Sequence, residues 1–307
     1  MPRPRKALIC SSQTPFYHCV SRCVRRAFLC GKDHYSGRCY EHRRKWVENR
    51  LLFLARIFAI DLCAYAIMSN HTHLVLRINT AKAQALSHDQ VLRRWHRLHQ
   101  GTLLTRRYQN DRAALSAEEK STVLATIDVY RERLQSISWF MRELNETIAR
   151  QANQEDECTG RFWEGRFKSQ ALLDEASVLA CMVYVELNPV RTAQVSSTKD
   201  LRFTSLNHRL KARKARTNTV LIKLRSGRIS REGELWFSFR DYFDLIQWSL
   251  QYSSRSQKDP PKIAALSILN QMNVSATSWY TVCSSLEQRC RGEVHLNKWA
   301  SEALYAV

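Results

Sequence analysis

Two imidazoles, a phenol and an amide are the side chains of this chain whose spacing could do chemistry. His71 and His73 stand at i and i+2 within Ala64–Leu76, AYAIMSNHTHLVL. Tyr184 and Asn188 stand at i and i+4 within Cys181–Arg191, CMVYVELNPVR. Side chains alternate along a strand, so the histidine pair shares one face of it. Residues four apart stack on one side of a helix, so the tyrosine and the asparagine share a face too. Brought together, the four could hold a divalent ion and aim one nucleophile at a phosphodiester.

Each half also has an ordinary reading: solvated histidines on a strand, and a core tyrosine bonded to backbone. Ile67, Leu74, Val75 and Leu76 place the histidines on a strand buried on at least one side, with Thr72 on the opposite face. On the helix, Ser177, Ala180, Cys181, Tyr184 and Asn188 fall within about a third of the circumference. Small side chains therefore precede Tyr184 on its own face and leave room beside it. Glu186 points nearly the other way and is not taken as a ligand.

The elements that must position these groups follow from periodicity. Phe16–Arg22 (FYHCVSR) alternates as a first strand, and Glu41–Ile60 carries apolar residues at helical spacing. Leu62–Met68 and His71–Ile78 read as a hairpin about Ser69-Asn70. Between them and Gly160 the chain is dense in charge and poor in glycine, which predicts long helices at about His88–Arg107 and Ala117–Ala152. Arg161–Leu173 reads as another strand. Asp174 is placed to cap the tyrosine helix, and Pro189 should end it at Asn188. Beyond Val195 come a basic run (Arg209–Arg216), an aromatic helix at Leu235–Tyr252 and a closing helical pair at about Ile263–Met272 and Ser275–Gln288. The expected fold is α+β, an antiparallel sheet of four or five strands with helices packed on it. It divides into residues 1–195, with a helical insertion at about 82–157, and a basic, helical extension at 196–307.

Charge narrows the partner. The 307 residues hold 48 Lys and Arg against 28 Asp and Glu, a formal net charge of +20. A surplus of that size predicts a polyanion, with nucleic acid ahead of a membrane surface. No apolar stretch is long enough to span a bilayer; Leu51–Ile60 is short and interrupted by Arg56. The start of the chain does not read as a secretory signal, so a reducing cytoplasm is expected, with the ten cysteines as thiols. The early cysteines, Cys10 to Cys39, form no C-x-x-C pair, which argues against a structural zinc there.

In order and rough spacing, FYHCVSR, AYAIMSNHTHLVL, RFWEGRFKSQALL and YVELNPVR resemble the single-tyrosine HUH transposases. The nearest likeness is to the REP-associated tyrosine transposases, over about the first 195 residues. Two departures stand out: Thr72 replaces a hydrophobe between the histidines, and Cys23 takes a position where many relatives carry glycine. The resemblance implies a ferredoxin-like core. It implies a divalent metal, Mg²⁺ or Mn²⁺, held by His71 and His73 and completed by Asn188, with Tyr184 as nucleophile. It also implies cleavage and rejoining of single-stranded, hairpin-containing DNA through a 5′-phosphotyrosine, by a monomer or homodimer in a prokaryotic cytoplasm.

Residues 1–50 carry twelve Lys and Arg against three Asp and Glu. Arg25, Arg26, Arg43, Arg44 and Lys45 are candidate phosphate contacts there, as are Arg166 and Lys168 beside the tyrosine helix. Three rivals are weighed against the transposase reading. A domesticated, non-catalytic hairpin-binding regulator would use the same basic surface. A small-substrate metallohydrolase would need a third strong ligand and leaves the charge unexplained. A rolling-circle initiator with a helicase would carry a G-x-x-x-x-G-K-[ST] loop, which is not present.

Overall fold

The structure is a computed structural model that describes residues 9, 14–24, 29–33, 37–192, 201–225, 231, 233–254, 263–279, 283 and 293–294. The sheet is built from β1 (Phe16–Arg22), β2 (Ile60–Ile67), β3 (His71–Ile78) and β4 (Lys168–Leu172), in the order β2-β3-β1-β4. All three neighbouring pairs are antiparallel. A two-residue strand, Glu293–Val294, adds in parallel at the outer edge of β4. The expected α+β architecture is the observed one.

Register settles the two faces. His71 lies opposite Arg22, and His73 opposite Val20. Across β1, His18 lies opposite Gln170, and Val20 opposite Lys168. Directly opposed residues of antiparallel strands share a face, so His18, His71, His73, Lys168 and Gln170 all project one way. Thr72, opposite Ser21 and Ile67, projects the other way. That second face, with Tyr17, Cys19, Tyr65, Leu74 and Leu76, is covered by α1 (Arg43–Ile57) and the helices behind it. The histidine face is covered by α7 (Glu175–Arg191).

Between β3 and β4 run α2 (Thr80–Gln84), α3 (His88–His96), α4 (Leu103–Asn110), α5 (Ala117–Leu134) and α6 (Ile137–Glu155). Each of the two long helices expected here is broken in two. Gly101 turns the chain at φ +71°, and a Cβ there would meet His96 Nε2 at 2.2 Å. Thr102 then starts α4 by accepting from Thr105 N. Ser136 likewise starts α6 by accepting from Trp139 N. These caps interrupt charge-rich stretches whose apolar rhythm continues across the break.

Two other expectations are corrected around α7. The strand expected at Arg161–Leu173 is only Lys168–Leu172, because Trp163 instead bridges Cys23 at the end of β1. Pro189 does not end the helix, which continues to Arg191. Proline there removes one hydrogen bond in the last turn, and Thr192 N closes that turn on Asn188 O at 3.0 Å. Asp174 caps the start as expected, accepting from Ser177 N at 2.6 Å.

After residue 200 come α8 (Ser205–Lys214), β5 (Lys223–Arg225), β6 (Glu234–Ser238), α9 (Phe239–Ser254) and α10 (Ile263–Gln271). The aromatic stretch read as one helix from Leu235 is thus β6 followed by α9. A helical turn follows at 276–279, but much of the second closing helix lies outside the described residues. This segment seals the free edge of β2. Ile67 N donates to Phe203 O (3.1 Å), and Tyr65 N to the Ser205 hydroxyl (3.1 Å). Leu62 O accepts from Ile222 N (2.9 Å), and Cys63 O from Arg209 Nη2 (3.0 Å). An uncovered edge would leave those backbone groups open to foreign strands. On the far side of α7, Tyr242 and Leu245 of α9 pack into the same cluster. Among the described residues no helix is long and apolar enough to cross a membrane.

A chain stopped at residue 195 would lose both the edge seal and the outer cover of α7. Each large apolar side chain uncovered costs roughly 1.5–3 kcal/mol. The shortened chain is expected to lose its cooperative urea transition and to bind an apolar dye. An unchanged midpoint would show that residues 1–195 fold alone.

Candidate active site

The tyrosine helix lays two of its side chains on the histidine face. The His73 and Tyr184 ring centroids are 5.7 Å apart and perpendicular. His71 and His73 are 4.7 Å apart, also near perpendicular. Asn188 Nδ2 stands 3.1 Å from His73 Nε2. The four residues singled out by spacing therefore meet, although a helical segment separates the two halves in sequence. All four are buried, His73 completely.

A third histidine completes the group. His18 Nε2 is 3.0 Å from His73 Nδ1, and His18 Nδ1 is 2.7 Å from Gln170 Oε1. The His18 and His73 rings stack at 5.2 Å, and His18 lies 6.0 Å from the Tyr184 ring. The amides fix the direction of this chain of bonds. Gln170 Oε1 can only accept, so His18 carries its proton on Nδ1 and accepts at Nε2. His73 must then donate from Nδ1, which puts its lone pair on Nε2, where the Asn188 amide donates. His71 follows the same rule: its Nδ1 is 2.5 Å from Asn70 Oδ1, an acceptor, so its lone pair is also on Nε2. Burial holds the His73 pKa well below the ordinary imidazole range, and neighbouring His18, His71 and Arg22 lower it further. A neutral ring is what this arrangement requires.

The donor set bears on a metal. Among the described residues no three His, Cys, Asp or Glu side chains form a metal-holding group. The Asn188 amide is the polar group beside His73 Nε2, at 3.1 Å, and its oxygen would face that nitrogen with the amide turned over. Two histidines that donate from Nδ1 and keep Nε2 as a lone pair are oriented as ligating imidazoles are. Two nitrogens and one neutral oxygen fit a divalent ion that accepts nitrogen and retains water, Mn²⁺ more readily than Mg²⁺.

Charge surrounds this neutral interior. Arg22, opposite His71, is exposed, and so are Arg166 and Lys168. The Arg191 guanidinium lies 5.5 Å from the Tyr184 ring centroid. Three of the other basic candidates are placed elsewhere. Arg43 is buried and ion-paired with Glu155 at 2.5 Å and with Asp156. It fastens α1 to the end of α6. Arg44 is mostly buried, bonded to Ile67 O and paired with Glu41 at 2.9 Å. Lys45 is exposed, 3.4 Å from Glu48. Arg25 and Arg26 lie outside the described residues.

His18, Gln170, Arg22 and Arg191 were not singled out by spacing. Parity in FYHCVSR offers one sign, since His18 falls in step with Phe16 and Val20 on a strand that is otherwise apolar. Gln170 is in step with Lys168 in the same way. Their pairing, however, depends on strand register, which no local pattern carries.

No protein-family model matches the chain, and no curated protein matches it. Among solved structures it is similar to a REP-associated tyrosine transposase bound to a REP hairpin. The sequence identity is 13% and the TM-score 0.40, over 70% of this chain and 87% of that one. So loose a likeness leaves the chemistry to be read from the side chains.

The bond directions are testable by long-range ¹H–¹⁵N spectra of labelled histidine. At neutral pH, His73 is expected as a neutral ring protonated on Nδ1, and Gln170→Leu should alter the His18 ring nitrogen signals. Protonation of His73 on Nε2 in the wild type would contradict the arrangement.

Proposed function

We propose that this chain is a transposase-type DNA nuclease and strand transferase. It would cut and rejoin single-stranded, hairpin-containing DNA through Tyr184, with a divalent metal, Mn²⁺ or Mg²⁺. The observation that carries this reading is the meeting of Tyr184 and Asn188 of one helix with His71 and His73 of one strand. An isolated core tyrosine has no reason to sit among three histidines whose rings bond to one another and to side-chain amides. His71, His73 and Asn188 would hold the ion. When bound, the metal supplies charge to stabilise the non-bridging oxygens of the scissile phosphate and eases ionisation of the phenol.

The chain's own residues supply the rest. The Tyr184 oxygen forms a bond to phosphorus as the bond from phosphorus to the 3′-oxygen breaks. The phenolic proton is lost, the departing 3′-oxygen takes one up, and the 5′-phosphate stays on the tyrosine. A free 3′-hydroxyl reverses the same exchange, so rejoining requires no nucleotide hydrolysis. Asn188 orients His73, while His18 and Gln170 hold that ring from behind. Arg191, Lys168 and Arg22 rim the site with positive charge suited to the DNA backbone. The resemblance in sequence and the net charge of +20 support a DNA partner. The enzyme would act in the cytoplasm, as a monomer or homodimer, with its catalytic residues within 1–195.

One observation favours a second reading, a hairpin-binding regulator without catalysis: the Tyr184 ring is only 6% exposed. A single experiment separates the two. Labelled hairpin DNA is incubated with Mn²⁺ or Mg²⁺ and run under denaturing conditions. The wild type is expected to give a protein–DNA adduct, and Tyr184→Phe none, with DNA affinity unchanged. Tight binding without an adduct across varied hairpins would leave the regulator.

The proposed metal has its own readout. His18→Ala should weaken Mn²⁺ binding by about 10–100-fold in calorimetry, the usual cost of losing a partner of a ligating histidine. Equal affinity in the variant would remove His18 from the site.

A further inference from the structure

The positive charge of this chain has a second concentration, away from Tyr184. α8, the β5–β6 ribbon and the start of α9 enclose a cleft of about 550 Å³. Arg209, Arg213, Lys223, Arg225, Arg231 and Arg240 line it, with Glu234 as its carboxylate. We infer that this cleft is a second docking site for DNA, holding the phosphate backbone of a segment other than the one being cut. The inference rests on the DNA partner proposed above and adds a place for it.

The cleft follows from how α8 is anchored. Arg209 is buried and donates to Ile222 O at 2.9 Å and to Cys63 O at 3.0 Å. Its charge forms the floor. One helical turn on, Arg213 shares that face and is exposed. Its guanidinium lies 4.6 Å from the Phe239 ring centroid, so the aromatic plane orients the group without neutralising it. Lys223 and Arg231 are exposed on the ribbon side.

Two nearby carboxylates engage cations of the cleft at long distance, and Glu234 accepts from backbone. Asp241 accepts from the Ser238 hydroxyl at 2.7 Å and stands 3.5 Å from Arg225. Asp244 is 3.9 Å from the highly exposed Arg240. Glu234 accepts from the Arg231 backbone N–H at 3.2 Å. Among the described residues no ion pair engages Arg213, Lys223 or Arg231.

The helical segment before β4 pairs four of its arginines. There Arg107 pairs with Glu119, Arg112 with Asp89, and both Arg142 and Arg150 with Glu146. Crowding unpaired cations into a concave site raises their mutual repulsion, which a polyanion relieves. The cations are spread over a helix, a ribbon and the next helix, a layout suited to successive phosphates along a backbone rather than to one phosphate group.

The test compares two triple variants of equal charge loss. R213Q/K223Q/R231Q removes exposed cations of the cleft, and R93Q/R106Q/R142Q removes exposed cations of the helical segment. Binding of a labelled DNA hairpin with a long stem is followed by anisotropy over a range of salt concentrations. The cleft variant is expected to bind at least 10-fold more weakly at low salt. Its slope of log K against log salt should shrink by about 2–3, near 0.9 for each phosphate that is no longer neutralised. The second variant should change by less than half as much. Equal effects from both, or none from the cleft variant, would overturn the site. Adduct formation through Tyr184 on a short oligonucleotide without a stem is measured alongside and should be unchanged in the cleft variant. If the wild type forms no adduct while the cleft variant still loses stem binding selectively, the docking site stands and the catalytic proposal falls.

Discussion

A helix buried on every side is the constraint on which this structure depends. Every residue of α7 from Ala176 to Pro189 is buried, and that stretch is not purely apolar. Ser177, Tyr184, Glu186 and Asn188 are inside it. Leaving such a group without a partner costs about 1–3 kcal/mol, so the rotation of α7 is constrained by the partners they meet. Asn188 is met by His73 on the sheet. Glu186, on the other side, is met by the Ser205 hydroxyl and by Tyr242 at 3.0 Å. One helix is thus gripped by polar contacts in opposite directions, and the aim of Tyr184 follows from that grip.

The same constraint explains why the segment after residue 200 belongs to the fold. A helix lying on a sheet with its outer face in water would show a polar stripe. α7 shows none, and α9 supplies the missing cover. Burial pushes the Glu186 carboxyl above its usual range, offset in part by bonds from Ser205, the Leu206 N–H and Tyr242 and by the Arg209 charge. Arg209 joins the two ends of the arrangement. Its guanidinium bonds to Cys63 O at the irregularity in β2, where the pairing with β3 shifts register between Leu62 and Ala64. The residue that floors the basic cleft also seals the edge of the sheet carrying the histidines.

The parts legible in the sequence are those governed by local rules. Alternation placed His71 and His73 on one face and Thr72 on the other, and the i, i+4 relation placed Tyr184 with Asn188. Asp174 announced its helix because a cap acts within three residues. Local rules also misled where a tertiary contact overrode them. Arg43 looks like a free cation in a basic run, yet it is sequestered by Glu155 and Asp156, which arrive from the far end of α6. Pro189 looks like a terminator, but one missing bond in the last turn of a helix so well buried does not stop it. His18 was invisible as a functional group because its partners, His73 and Gln170, come from strands remote in sequence and meet it only through register.

The distribution of charge then separates two tasks that the proposed strand cutting would combine. Bringing DNA to the surface requires net positive charge, whereas positioning a nucleophile requires groups that do not change protonation as the substrate arrives. The interior of the site meets the second need with histidines bonded to amides, the fully buried His73 held below its ordinary range by burial. Arg22, Lys168 and Arg191 meet the first at its rim, and the cleft beside α8 extends it over a separate surface. A fully desolvated arginine among the histidines would have added attraction for phosphate at the cost of depressing every imidazole further and leaving a charge to be neutralised. Keeping the cations at the edge avoids that conflict: among the described residues Arg22, Lys168 and Arg191 stand beside the candidate chemistry and do not enter it.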